Sequence, residues 1–169
     1  MTTKLDGVGL IYVATFEDIA ITAAQDLFEI VAPSNSRVVI REFEIGQESD
    51  EGDAQAEMLG LKIIRGYTSA GSGGAAVTPY PVAPWSGAAT AGSTVKRNNT
   101  TIASGGTPKL MRATAWNVMG GYRYYPGFRG ERIMLDAGER CVFRLPNAPI
   151  DSLTCHATLV FEELGVIGM

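Results

Sequence analysis

Apolar and polar positions alternate most clearly over RVVIREFEIGQ (37–47), where Val39, Arg41, Phe43 and Ile45 interleave with Val38, Ile40, Glu42 and Glu44. After its first residues the polar members settle on one side at Glu42 and Glu44, opposite Phe43 and Ile45, the period of a half-buried strand. AEMLGLKIIRGY (56–67) predicts a second long strand, with Leu59, Leu61 and Ile63 against Gly60, Lys62 and Ile64. IYVATF (11–16), IAITA (19–23) and DLFEIVA (26–32) add strands rich in β-branched and aromatic residues, followed by a PSNS turn. VKRNNTTIASGG (95–106) reads as irregular with a short strand inside it, and KLMRATAWNVMGGYRYYPG (109–127) as strands broken at Gly120-Gly121. ERIML, RCVFRL and LTCHATLVFEEL, separated by DAGE and PNAPIDS, read as a closing meander. The one helical candidate, GDAQAEMLG (52–60), runs straight into a strand pattern. Eight to ten short strands with turn chemistry between them predict an all-β class, a jelly-roll-like antiparallel β-sandwich.

The 169 residues suit a single domain, 1–169, with a sizeable core. Apolar runs are too short to span a membrane, and the first residues lack the pattern of a signal peptide, so synthesis in a cytoplasm is expected. The cysteines, Cys141 and Cys155, are too few for a disulfide scaffold; they read as buried thiols on what look like neighbouring strands. Net charge is −4, but residues 1–70 hold 12 acidic and 5 basic side chains (−7), whereas 71–169 hold 6 and 9 (+3). Such asymmetry suits a molecule with an acidic and a basic surface that docks onto copies of itself, against two plainly solvated faces.

Catalytic chemistry is not signalled, and the chain does not read as an enzyme. His156 is the sole histidine, and no serine sits in a nucleophile elbow. ESDEGD (48–53) is oxygen-rich, yet it lacks the calcium-loop spacing and reads as an acidic turn; no metal site and no cofactor are expected. GSGG (71–74) lacks the strand, helix and lysine of a phosphate cradle and reads as a flexible linker. NNTT (98–101) holds two overlapping glycosylation sequons that read as polar turn residues.

Two stretches carry candidate contact residues. YRYYPGFRG (122–130) interleaves Tyr122, Tyr124, Tyr125 and Phe128 with Arg123 and Arg129, and Arg132 follows. This mixture is enriched at protein interfaces; a pI near 5.0 argues against nucleic acid. Residues 68–94 form a long, nearly uncharged loop with Tyr80 and Trp85 at its centre, stiffened by Pro79, Pro81 and Pro84. It suits either a clasp onto a neighbouring molecule or a flap over its own sandwich. Trp85, Trp116 and the tyrosines are also candidates for stacking on sugar rings.

TAAQDLFEI (22–30), VVIREFEIGQESDEGDAQAE (38–57), the Gly/Ser/Pro/Ala-rich middle, NNTT (98–101) and LVFEELG (159–165) together resemble a group of structural proteins of tailed bacteriophages. The resemblance spans roughly 20–165 and lies in short phrases, without a catalytic motif. It implies a jelly-roll virion component, a decoration (cement) protein bound to the capsid exterior. It further implies a homotrimer on local three-fold positions with the major capsid protein as partner. Head–tail or tail-fibre accessory roles, and a carbohydrate-binding module, are the alternatives.

Overall fold

The computed structural model describes residues 10–48, 57–83 and 90–164. They form two packed antiparallel β-sheets, a β-sandwich. The strands are β1 (Leu10–Ile21), β2 (Gln25–Val31), β3 (Val38–Gln47), β4 (Met58–Arg65), β5 (Ala75–Val77), β6 (Tyr80–Pro81), β7 (Thr94–Asn99), β8 (Lys109–Asn117), β9 (Tyr122–Tyr124), β10 (Met134–Leu135), β11 (Arg140–Leu145) and β12 (Leu153–Glu163). Sheet A runs β10-β3-β12-β1-β6, with β9 also on β3; sheet B runs β5-β7-β2-β11-β4-β8.

The pairing is nested. β1 pairs with β12, β2 with β11, β3 with β9 and β10, and β4 with β8. The C-terminal third is therefore not a meander: β10, β11 and β12 alternate between the sheets, because each seeks the partner that mirrors it in chain order. Cys141 and Cys155 accordingly lie in different sheets rather than on neighbouring strands, both buried as free thiols. The segments 11–16 and 19–23 belong to one strand, β1, with a bulge between Phe16 and Ile19. Asp18 takes a left-handed backbone there (φ 52°), and the bulge keeps Phe16 and Ile21 both facing the core. The helical candidate 52–60 lies partly outside the described residues, and from Met58 it is strand.

Phenylalanines join the two sheets. Phe43 of β3 stacks on Phe143 of β11, ring centroids 4.6 Å apart, and meets Phe28 of β2 edge-on at 6.3 Å. Such pairs contribute about 0.5–1.5 kcal/mol each beyond their burial. On β3 the alternation follows the sequence pattern, with Phe43 and Ile45 buried. A second bulge, opposite the Val160/Phe161 step, lets Ile40 also face inward while Arg41 turns out to bond Glu162 at 2.7 Å.

Sheet B is covered on its outer face as well. The chain segments 66–74 and 100–107 bridge to one another at Ser69–Ser104 and Ser72–Thr101 and lie over β2 and β11. Beneath them β2 buries two carboxylates. Asp26 receives Arg144 through both oxygens (2.6 and 3.2 Å) and the Ala103 amide at 2.7 Å. Glu29 receives Arg140 at 2.9 Å, Asn99 at 3.0 Å and the Gly71 amide at 2.7 Å. Arg144 also bonds the Tyr67 hydroxyl and the Ala103 carbonyl, and lies 4.8 Å above the Tyr67 ring. Tyr67 packs with Ile64, Ala103 and Val142 as a small second core.

GSGG is therefore no flexible linker. A side-chain carbon on Gly71 would stand 2.7 Å from the Asn99 amide nitrogen, and one on Gly74 would collide with the Arg97 carbonyl. NNTT is likewise strand end and bridge rather than free turn, with Asn99 buried against Glu29. The long loop 68–94 also carries structure. β5 adds to β7 in sheet B and β6 adds to β1 in sheet A, so the described part folds back as a strap tying the two sheets together along one side. Its end is held by Glu163, which accepts from the Gly92 and Ser93 amides.

Arg144→Met is expected to destabilise the fold by about 3–5 kcal/mol in urea unfolding, because it strands Asp26 in the interior. Asp26→Leu combined with Arg144→Met should recover much of that loss. Burial raises the Cys141 thiol far above its usual pKa and pushes Cys155 up to about 11. At pH 8 neither is a thiolate, so both should resist a thiol reagent in the native protein and react promptly in denaturant.

Candidate interaction site at the open seam

The two long sides of the sandwich differ. One is strapped by β5 and β6; on the other, β8 of sheet B faces β9 and β10 of sheet A across an open seam. β8 is the last strand of its sheet, and all of its residues from Lys109 to Ala113 are exposed. An edge strand presents unpaired backbone donors and acceptors to any chain that approaches. After β9 the chain passes over Tyr125 and Phe128, then makes a short 3₁₀ turn, Arg129–Glu131, before entering β10. A cavity of about 320 Å³ opens in the seam, lined by Arg65, Arg112, Arg132, Met111, Met134 and Tyr124 among others.

The arginines are held in different ways. Arg65 bonds Glu139 at 3.0 Å and the Met134 carbonyl at 3.2 Å. Arg112 projects from β8 toward the opposite sheet and lies 5.0 Å above the Tyr124 ring. Arg132 has no ion-pair partner among the described residues, and its buried Nε has no hydrogen-bond partner. The Arg65 Nε is equally unmatched. Among the described residues Glu131 is the one carboxylate on the cavity wall, against three arginines. Burial pushes the Tyr124 phenol above its ordinary pKa, against the lowering pull of the Ile133 backbone hydrogen bond and Arg112. At neutral pH its ring is an uncharged platform for the guanidinium.

The structure brings most of the sequence-identified contact residues to this seam and divides them by role. Tyr124 is only 2% exposed and Tyr122 is half-buried, its ring 6.5 Å from Phe43, so both support the seam from within. Tyr125 (64% exposed) and Phe128 (74%) are open to solvent, as is Arg129. Arg123 is exposed, 2.6 Å from Glu42, and lies over the Tyr125 ring at 5.2 Å. Tyr80, exposed on β6, sits on the strapped side, away from the others. Trp85 lies outside the described residues. Trp116 is 4% exposed, so its ring is a core group and not a platform for sugar. Leu110, Met111 and Met134 at the seam were not singled out by sequence; their exposure follows from β8 and β10 ending their sheets, which no local pattern signals.

A separate polar cluster sits on the outer face of sheet A. His156 of β12 bonds Glu48 at 2.7 Å and lies 3.7 Å from Asp18. One ligand atom from each lies within 4.8 Å of the others, so these three are the described residues able to hold a divalent cation. Their contacts are equally those of a surface ion pair. The chain matches no family model, no curated protein and no solved structure.

Phe128→Ala and Tyr125→Ala are each expected to shift unfolding free energy by no more than about 0.5 kcal/mol, as open surface positions. Tyr124→Ala should cost about 3–5 kcal/mol. Thermal melts of the three variants check the division between supporting and presented residues.

Proposed function

We propose that this protein is a structural virion subunit of a tailed phage, a decoration protein that binds the outside of the capsid and bridges capsomers. The observation that carries the reading is the seam: a free β8 edge beside exposed Tyr125, Phe128 and Met134, on a sandwich whose opposite side is strapped. Apolar and aromatic side chains held in the open by a rigid frame are what a protein interface requires. The resemblance of 20–165 to phage structural proteins supplies the class of partner, the major capsid protein. The nested pairing supports reading the sandwich as a jelly roll, with β5, β6 and the strap as an insertion. Three such subunits on one rigid trimer would add weak contacts through effective concentration.

Mixing the purified chain with heads of its own phage that lack it tests the reading. Co-sedimentation to a saturating ratio is expected, with binding at least tenfold weaker for Tyr125→Ala/Phe128→Ala. Failure of the wild-type chain to sediment with heads would overturn the proposal.

A further inference from the structure

On the outer face of sheet A, three neighbouring strands bring one donor group each to a common point. β12 lies between β3 and β1. On one side His156 pairs with Gly46; on the other it meets the β1 bulge, since Phe16 pairs with Ala157 and Ile19 with Cys155. Two residues, Glu17 and Asp18, thus face one. Asp18 takes its left-handed backbone (φ 52°) at this point. Glu48 follows the end of β3, and its amide donates to the Thr154 carbonyl at 2.8 Å, which ties its backbone to β12.

Both carboxylates approach the same ring nitrogen. His156 Nε2 stands 2.7 Å from Glu48 Oε2 and 3.7 Å from Asp18 Oδ1, and the three atoms lie within 4.8 Å of one another. A single N–H makes its bond to Glu48 and leaves Asp18 beyond hydrogen-bond range. A protonated imidazole does not balance two carboxylates, and neither acid has a lysine or arginine ion-pair partner among the described residues. An ion pair therefore accounts for the Glu48 contact and leaves the approach of Asp18 over.

A shared cation accounts for both. Zn²⁺ takes imidazole nitrogen and carboxylate oxygen tetrahedrally at about 2.1 Å, which sets its donors about 3.4 Å apart. The separations of 2.7 and 3.7 Å lie on either side of that value. The two carboxylates belong to largely exposed side chains, so rotation closes the distance between them. Gly46, beside His156, carries no side chain, and a carbon built there would meet nothing within 4 Å, so the solvent side of the ion is open. One nitrogen with two carboxylates suits a borderline ion such as Zn²⁺ better than Ca²⁺ or Mg²⁺, which prefer oxygen ligands.

We infer that Asp18, Glu48 and His156 form a binding site for a divalent transition-metal ion of the Zn²⁺ class. The chain supplies three ligands and leaves the fourth position to water or to a donor from another molecule. The ion joins the β1 bulge and the end of β3 to β12, the strand between them. The site is independent of the virion reading, and it is tested on the chain alone.

The untagged full chain, stripped with a chelator and dialysed, is titrated with Zn²⁺ by calorimetry and with Co²⁺ by visible absorption. Saturable binding of one ion per chain is expected, with a change in the Co²⁺ spectrum that Zn²⁺ reverses and a melting temperature that rises with Zn²⁺ concentration. Asp18→Asn and His156→Gln should each weaken Zn²⁺ binding at least tenfold. Asparagine tolerates the left-handed backbone as aspartate does, so Asp18→Asn removes the ligand and keeps the bulge. Glu17→Gln, at the adjacent exposed carboxylate outside the cluster, should bind as the wild type does. A wild type without saturable binding would overturn the inference and leave a surface ion pair. Unchanged binding in either Asp18→Asn or His156→Gln would overturn it by placing the ion elsewhere. An equal loss in Glu17→Gln would overturn it by reducing the effect to general charge attraction.

Discussion

Two buried carboxylates on one strand govern how sheet B is built. Asp26 and Glu29 both face away from the sandwich core, because a bulge in the β2–β11 pairing shifts the register between them. Left bare, a charged pair beneath apolar chain would be strongly unfavourable. The protein meets this with two arginines on the adjacent strand and with backbone amides from segments that would otherwise be loops. Those segments are thereby drawn onto the sheet as a second layer. Gly71 and Gly74 are the steric condition for the approach, and Tyr67 gives the layer an apolar centre.

The same pairs account for much of the chain's uneven charge. The acidic first part and the basic second part are brought together by the nesting of strands: Asp26 meets Arg144, Glu29 meets Arg140, and Glu42 meets Arg123. What reads along the sequence as two opposed halves becomes local neutrality in space. What is left over among the described residues includes the arginines of the seam, Arg112 and Arg132.

Strand positions and the fold class were legible because apolar alternation is local. β3, β4, β11 and β12 fall close to the stretches whose period announced them. The pairing was not legible: β11 lies next to β2 and β4 through contacts more than seventy residues apart. From that follow the misplaced cysteines and the apparent meander. GSGG misled because glycine permits both freedom and close packing, and only the neighbour, here Asn99, decides between them. Within YRYYPGFRG, composition found the right place. It could not separate Tyr124, which is buried, from Tyr125, which is not, since the separation depends on where β9 meets β3.

The nesting also constrains how the chain is made. In sheet A, β12 lies between β3 and β1, so the sheet lacks its central strand until the last strand has been synthesised. Closing a loop costs more the longer it is, and the innermost pair, β5 with β7, spans the shortest stretch. Sheet A therefore stays unfinished until β12 has emerged. Loop-closure cost favours order spreading outward from β5 and β7, with β1 and β12 the last to meet.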